Sequence, residues 1–158
     1  MNAFYFTRVL PPLPLALTKV GVYHTPVQHS GAVYSVKEEP QPWTVRLGLA
    51  RPVVHVIPGE KLALYSAVFA PIRMSTRITH RWQWWDPQAK HWQTLSQLSF
   101  TISGGRAGGY RGYSLKSGLR AGDWRVSIES ADKRLIGRLA FNVIVVPAPA
   151  QTIVKTLQ

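Results

Sequence analysis

Five glycines between Gly104 and Gly112 surround Arg106, Tyr110 and Arg111, and Tyr113 follows at once. Glycine adopts positive φ without penalty, so successive backbone N–H groups in such a run can turn to one side and form an anion nest. Arg106 and Arg111 would add paired N–H donors for a phosphate, sulfate or carboxylate. The candidate anion-binding set is therefore Arg106, Gly108, Gly109, Tyr110, Arg111 and Tyr113. The plainer alternative is a tight crossover between sheets, with glycines avoiding clashes and arginines stacked on aromatic rings. No Gly-Lys-Ser/Thr follows and no helix is signalled, so this is neither a Walker loop nor a dinucleotide fingerprint.

Tryptophans supply the second candidate surface. Trp82, Trp84, Trp85 and Trp92 fall on the two arms of one hairpin around Asp86-Pro87-Gln88-Ala89-Lys90. Period-two geometry sends Trp82 and Trp84 to one face, and Trp85 to the other beside Arg81 and Gln83. With the first face in the core, Trp85 becomes a stacking ring near polar donors and joins the candidate site.

Catalytic groupings are weak. His24, His29, His55, His80 and His91 are scattered, and no metal site is expected from them. His80 shares the face of Trp82 and reads as a hydrogen-bonded residue at the edge of the core. Ser130 and Lys133 match a Ser-x-x-Lys pattern, but on a hairpin turn rather than a helix start. Ser114 and Lys116 alternate onto one face without a nucleophile elbow. Asp86, Asp123, Asp132 and Glu60 sit in or beside turns, so turn chemistry explains them. The expectation is no enzyme activity and no cofactor.

The elements that must position these residues are strands. The chain has 158 residues, 46% of them hydrophobic, and no cysteine, so one cored domain without disulfides is expected. No run of about 18 apolar residues is present to span a bilayer as a helix. Three zones follow. Residues 1–42 form a Pro-punctuated arm, whose prolines at 11, 12, 14, 26, 40 and 42 argue against a long helix or a central strand. Residues 43–146 are dense in strand signals: Trp43 to Ala50, Val53 to Ile57, Lys61 to Ala70, Thr76 to Trp85, His91 to Ser103, Tyr113 to Lys116, and the alternations through Trp124 and Phe141. Residues 147–158 read as a polar, mobile tail. About seven strands, with turns roughly every 8–12 residues, predict an all-β, immunoglobulin-like antiparallel sandwich with a Pro-rich N-terminal arm.

Charge points to a partner class. Nineteen Lys and Arg against seven Asp and Glu give +12, beyond the roughly +2 to +8 that solubility asks. Such an excess favours an anionic partner through long-range attraction.

Several pieces, taken in order, resemble the bacterial DUF2914 family: PPLPLALTKVGVYH (11–24), VFAP (68–71), ITHRWQWWD (78–86), ISGGRAGGYRGYSLK (102–116), GDWRV (122–126) and IGRLAFNV (136–143). The resemblance implies the sandwich. It also implies membrane association, because in such proteins this domain follows a membrane-embedded region and the PPLPL segment looks like the exit from its last helix. It carries over no catalytic residue.

The resulting expectation is a non-catalytic binding module at the bacterial membrane or cell envelope. Its partner would be an anionic membrane surface, an acidic glycan or a membrane-protein neighbour. One alternative is an assembly subunit using the N-terminal arm. Nucleic acid ranks behind these, since no recognition helix, zinc finger or RNP-type motif is present.

Overall fold

The computed structural model describes residues 15–30, 33–70, 75–103 and 110–157. Along the chain come β1 (Ala16–Ser30), β2 (Val33–Glu38), α1 (Trp43–Arg46), β3 (Val53–Val56), β4 (Leu62–Phe69) and β5 (Ser75–Asp86). They are followed by β6 (His91–Ser103), β7 (Tyr110–Lys116), β8 (Gly122–Glu129), β9 (Leu135–Val145) and β10 (Ile153–Leu157). Two five-stranded sheets result. The first runs β10-β2-β1-β4-β7 and the second β3-β9-β8-β5-β6. Neighbours are antiparallel, apart from the parallel pair β3 and β9.

Alternation builds the core. Ile78 and Trp82 of β5, Trp124, Val126 and Ile128 of β8, and Phe141 and Val143 of β9 turn inward and are almost fully buried. Leu62, Leu64 and Val68 of β4 meet them from the first sheet. Burying one such side chain is worth about 1.5–3 kcal/mol, so this layer dominates stability. Both faces of β4 are covered, because Tyr65 and Ala67 point the other way into a second cluster with Tyr23, Val36 and Leu157. At Gly112 a Cβ would lie 2.6 Å from the Phe100 ring, so the close approach of β7 to β6 requires glycine there.

Three expectations are corrected. First, the stretch assigned to a proline arm supplies β1 and β2, and β1 is central in its sheet. Pro26 is tolerated because pairing with β4 ends at His24, and pairing with β2 shifts register between His24 and Gln28. No ladder bond is asked of its missing N–H. Residues 1–14 lie outside the described residues. Second, Trp43 to Ala50 is one helical turn and a bend. Leu47 donates to the Trp43 carbonyl at 2.9 Å and Leu49 to that of Thr44 at 2.7 Å. Leu47 and Leu49 are 67% and 70% exposed, so the alternation there faces no second layer. Third, the presumed tail forms β10 along β2. Leu157 anchors it, fully buried against the second cluster. Leu157→Ala should therefore lower stability by about 2–3 kcal/mol, read as a lower urea midpoint. An unchanged midpoint would mean that β10 contributes nothing to folding.

Candidate functional site

The described members of the predicted set fall on different sheets: Tyr110, Arg111 and Tyr113 on the first and Trp85 on the second. Arg106, Gly108 and Gly109 lie outside the described residues. Tyr110, Arg111 and Tyr113 begin β7, the outer strand of the first sheet. Tyr110 packs on the core, whereas Tyr113 meets Tyr34 edge-on on the opposite face, at 6.1 Å between centroids. Trp85 belongs to the second sheet. It pairs with Trp92 at the β5–β6 hairpin, while Ser103, just before the glycines, pairs with Ser75 at the far end of β5. Ten residues of strand, about 33 Å, separate the two ends. A one-dimensional reading of adjacency could not see this.

His80 sits between the sheets, fully buried. Its Nε2 is 2.7 Å from Ser66 Oγ and its Nδ1 2.8 Å from Ser114 Oγ. The Trp82 indole N–H also donates to Ser114 Oγ, at 2.9 Å. Burial pushes the imidazole down to about 4, so the ring is neutral at ordinary pH. One N–H and one lone pair then match the two hydroxyls. A histidine between serines has the ingredients of a nucleophile and base, but these hydroxyls face each other inside the core. The group is a polar rivet: β4 and β7 of the first sheet are tied to β5 of the second.

A second tie joins the sheets at one margin. His24 of β1 lies between two carboxylates. Its Nε2 is 2.9 Å from Glu39 Oε2, and its Nδ1 bonds Glu60 Oε2. Glu39 also accepts the His55 backbone N–H at 2.8 Å, and its other oxygen is 2.7 Å from His55 Nδ1. Burial alone would disfavour charge on either group. The bonds outweigh it, holding His24 above its ordinary pKa and Glu39 below.

The second sheet's outward face carries the exposed chemistry, and its register reads as a grid. Trp85 pairs with Trp92. Gln83 lies between Thr94 and Arg125, with Ala140 beyond. Arg81 lies between Gln97 and Ser127, with Arg138 beyond. Thr79 lies between Ser99 and Glu129. Rows are about 7 Å apart. Trp85 meets Trp92 edge-on at 5.4 Å, and the Arg125 guanidinium stacks 4.3 Å from the Trp92 ring centre. Arg125 Nε donates to Gln83 Oε1 at 2.7 Å, and Arg138 Nε to Ser127 Oγ at 3.0 Å. Arg81 is paired with Glu129 at 2.9 Å. Among the described residues Arg125 and Arg138 have no carboxylate partner. Burial and the neighbouring Arg138 charge both push the Arg125 pKa down. Two like charges are thus held side by side in front of hydroxyls, amides and indoles.

The sequence places Arg81, Gln83 and Trp85 on this face. Arg125, Arg138 and Trp92 join them only through strand register, which local pattern does not encode. Among the described residues no group of His, Asp and Glu is arranged to hold a metal ion, and no helix is long and apolar enough to cross a membrane.

Two packed sheets of this composition make the chain an immunoglobulin-like β-sandwich. More particularly, residues 75–143, β5 through most of β9, match the model of DUF2914, a family described as protein of unknown function. No curated protein sequence matches the chain. Among solved structures it is similar to an immunoglobulin-like protein from Pseudomonas aeruginosa, at 13% identity and TM-score 0.42, over 82% of this chain and 96% of that one. It is also similar to part of the Pseudomonas fluorescens alkylpurine DNA glycosylase AlkC (10% identity, TM-score 0.37, 65% of this chain and 33% of that one). A third similarity is to part of a beta-D-glucoside glucohydrolase from Trichoderma reesei (9% identity, TM-score 0.39, 90% of this chain and 22% of that one).

Proposed function

We propose that this protein is a non-catalytic binding module of the bacterial membrane or cell envelope, which recognises an anionic partner on the outward face of its second sheet. The observation supporting this reading is the Arg125–Arg138 pair, uncompensated by any described carboxylate and flanked by the Trp85–Trp92 rings. An incoming carboxylate, sulfate or phosphate relieves the repulsion between the two guanidinium groups and accepts their remaining N–H donors. Flat indoles beside them offer stacking surface for a sugar or contact for a headgroup. The face is broad and shallow, which suits an extended anionic surface or chain better than a small substrate.

The test is a salt series with immobilised acidic polysaccharide, and in parallel with phosphatidylglycerol and phosphatidylcholine vesicles. Binding should be confined to the anionic ligands and should weaken steeply between 50 and 500 mM salt. Substituting both Arg125→Glu and Arg138→Glu should lower affinity by at least about a hundredfold, since each lost charged hydrogen bond is worth about 1.5–3 kcal/mol. Binding indifferent to salt, or unchanged in the double variant, would refute the assignment.

A further inference from the structure

Among the described residues, the first sheet carries an unfinished edge. Between Lys19 and Tyr23, β1 pairs on one side with β4. On its other side, pairing with β2 begins only at His24. No described strand pairs with this stretch there. Every second N–H and C=O of a strand points to each side, so a short row of backbone donors and acceptors faces outward. These groups form part of the wall of a cleft of about 840 Å³, where the margins of the two sheets part.

The rest of the cleft is suited to side chains. Val20, Val22 and Leu139, which also touch the core, are joined by Val45 of α1. Lys19 and Arg46 line it too, and neither forms an ion pair among the described residues. Lys155, also in the lining, is 3.5 Å from Glu38 and so already compensated.

We infer that this cleft receives an extended peptide segment, which adds to β1 alongside Lys19–Tyr23 with aliphatic side chains alternating into the cleft and an acidic residue placed against Lys19 and Arg46. Strand addition combines the two features: main-chain hydrogen bonds give affinity, and the pockets for alternate side chains give selectivity. A purely hydrocarbon ligand would cover the row of amides without satisfying it, which is costly. The two unpaired cations select an acidic segment over a neutral one. The inference rests on the first sheet's edge and not on the basic face of the second, so either can fail alone.

The probe is a seven-residue capped peptide alternating valine with threonine and glutamate. Two controls accompany it. One is N-methylated on the residues whose amides would face β1, and the other carries lysine in place of glutamate. Amide exchange followed by NMR is the readout. In the free protein, alternate amides from Lys19 to Tyr23 should exchange fast, and peptide at 1 mM should slow them at least about tenfold. The N-methylated and lysine peptides should leave them fast. Arg46→Glu, on an exposed turn where folding is insensitive, should weaken binding about tenfold or more. Val45→Trp should block the cleft. Absence of protection at 1 mM, equal protection by the N-methylated peptide, or slow exchange of all these amides in the free protein would each overturn the inference.

Discussion

His80→Leu should lower folding stability by about 2–4 kcal/mol, a large fraction of the roughly 5–15 kcal/mol available to a domain of this size. The side chain is replaced by one of similar bulk, so the loss is chiefly polar. Ser66 and Ser114 keep hydroxyls that were 2.7 and 2.8 Å from the ring, and neither faces water. A cycle separates this from simple misfit. Adding Ser66→Ala to His80→Leu should recover part of the loss, because an apolar residue against leucine removes one stranded hydroxyl. Urea denaturation at neutral pH measures both. Strictly additive losses would mean that the hydroxyls find other partners and that His80 acts by volume alone.

The same residue shapes the acid limb. In the unfolded chain the imidazole takes up its proton near 6.5, whereas in the folded protein it resists until about 4. Between these values the unfolded state binds more protons, so stability falls as pH falls. The depression amounts to about 3 kcal/mol at full extent. His80→Leu lacks this titration. Its stability should therefore be flatter than that of the parent between pH 6.5 and 4, with the two curves converging in acid.

The strands at the centre of the family match were legible because each alternates against a layer that exists. Ile78, His80 and Trp82 read as one inward face, Trp124, Val126 and Ile128 as another, and both are buried. The same rule misled at Trp43 to Ala50, where Leu47 and Leu49 alternate toward solvent. It missed β1, because its Lys19 and Gly21 blur the pattern and the neighbouring prolines mask it. It missed β10, which one buried residue, Leu157, holds in place. The candidate face was legible as far as one strand reaches. Arg81, Gln83 and Trp85 lie two residues apart in sequence, but Arg138 enters their grid through two successive pairings. That Tyr110, Arg111 and Tyr113 fall on the first sheet and Trp85 on the second is likewise a property of strand pairing, which aromatic and cationic residue types alone do not encode.

Glu39→Gln should be the most damaging substitution at the sheet margin, at about 3–5 kcal/mol near pH 6, because it leaves a buried imidazolium without one of its two counter-charges. Glu39 accepts from His24 Nε2 and the His55 N–H through one oxygen and bonds His55 Nδ1 through the other. A glutamine keeps the shape but turns an NH2 toward a donor. The pH dependence identifies the cause. His24 is raised in the folded protein, so its contribution is complete below about 6.5 and is lost as pH rises through its folded value. Glu39 is lowered, so its contribution is present above about 4.5 and is lost as pH falls through its folded value. The tie is strongest between these limits. The gap between parent and Glu39→Gln should therefore be widest near pH 5–6 and shrink as pH rises through the folded value of His24, where the imidazolium gives up the charge that Glu39 balances. A gap that does not shrink anywhere on the alkaline side of pH 6 would show that Glu39 serves only as an acceptor for the His55 backbone, and that β3 is held without help from the His24 charge.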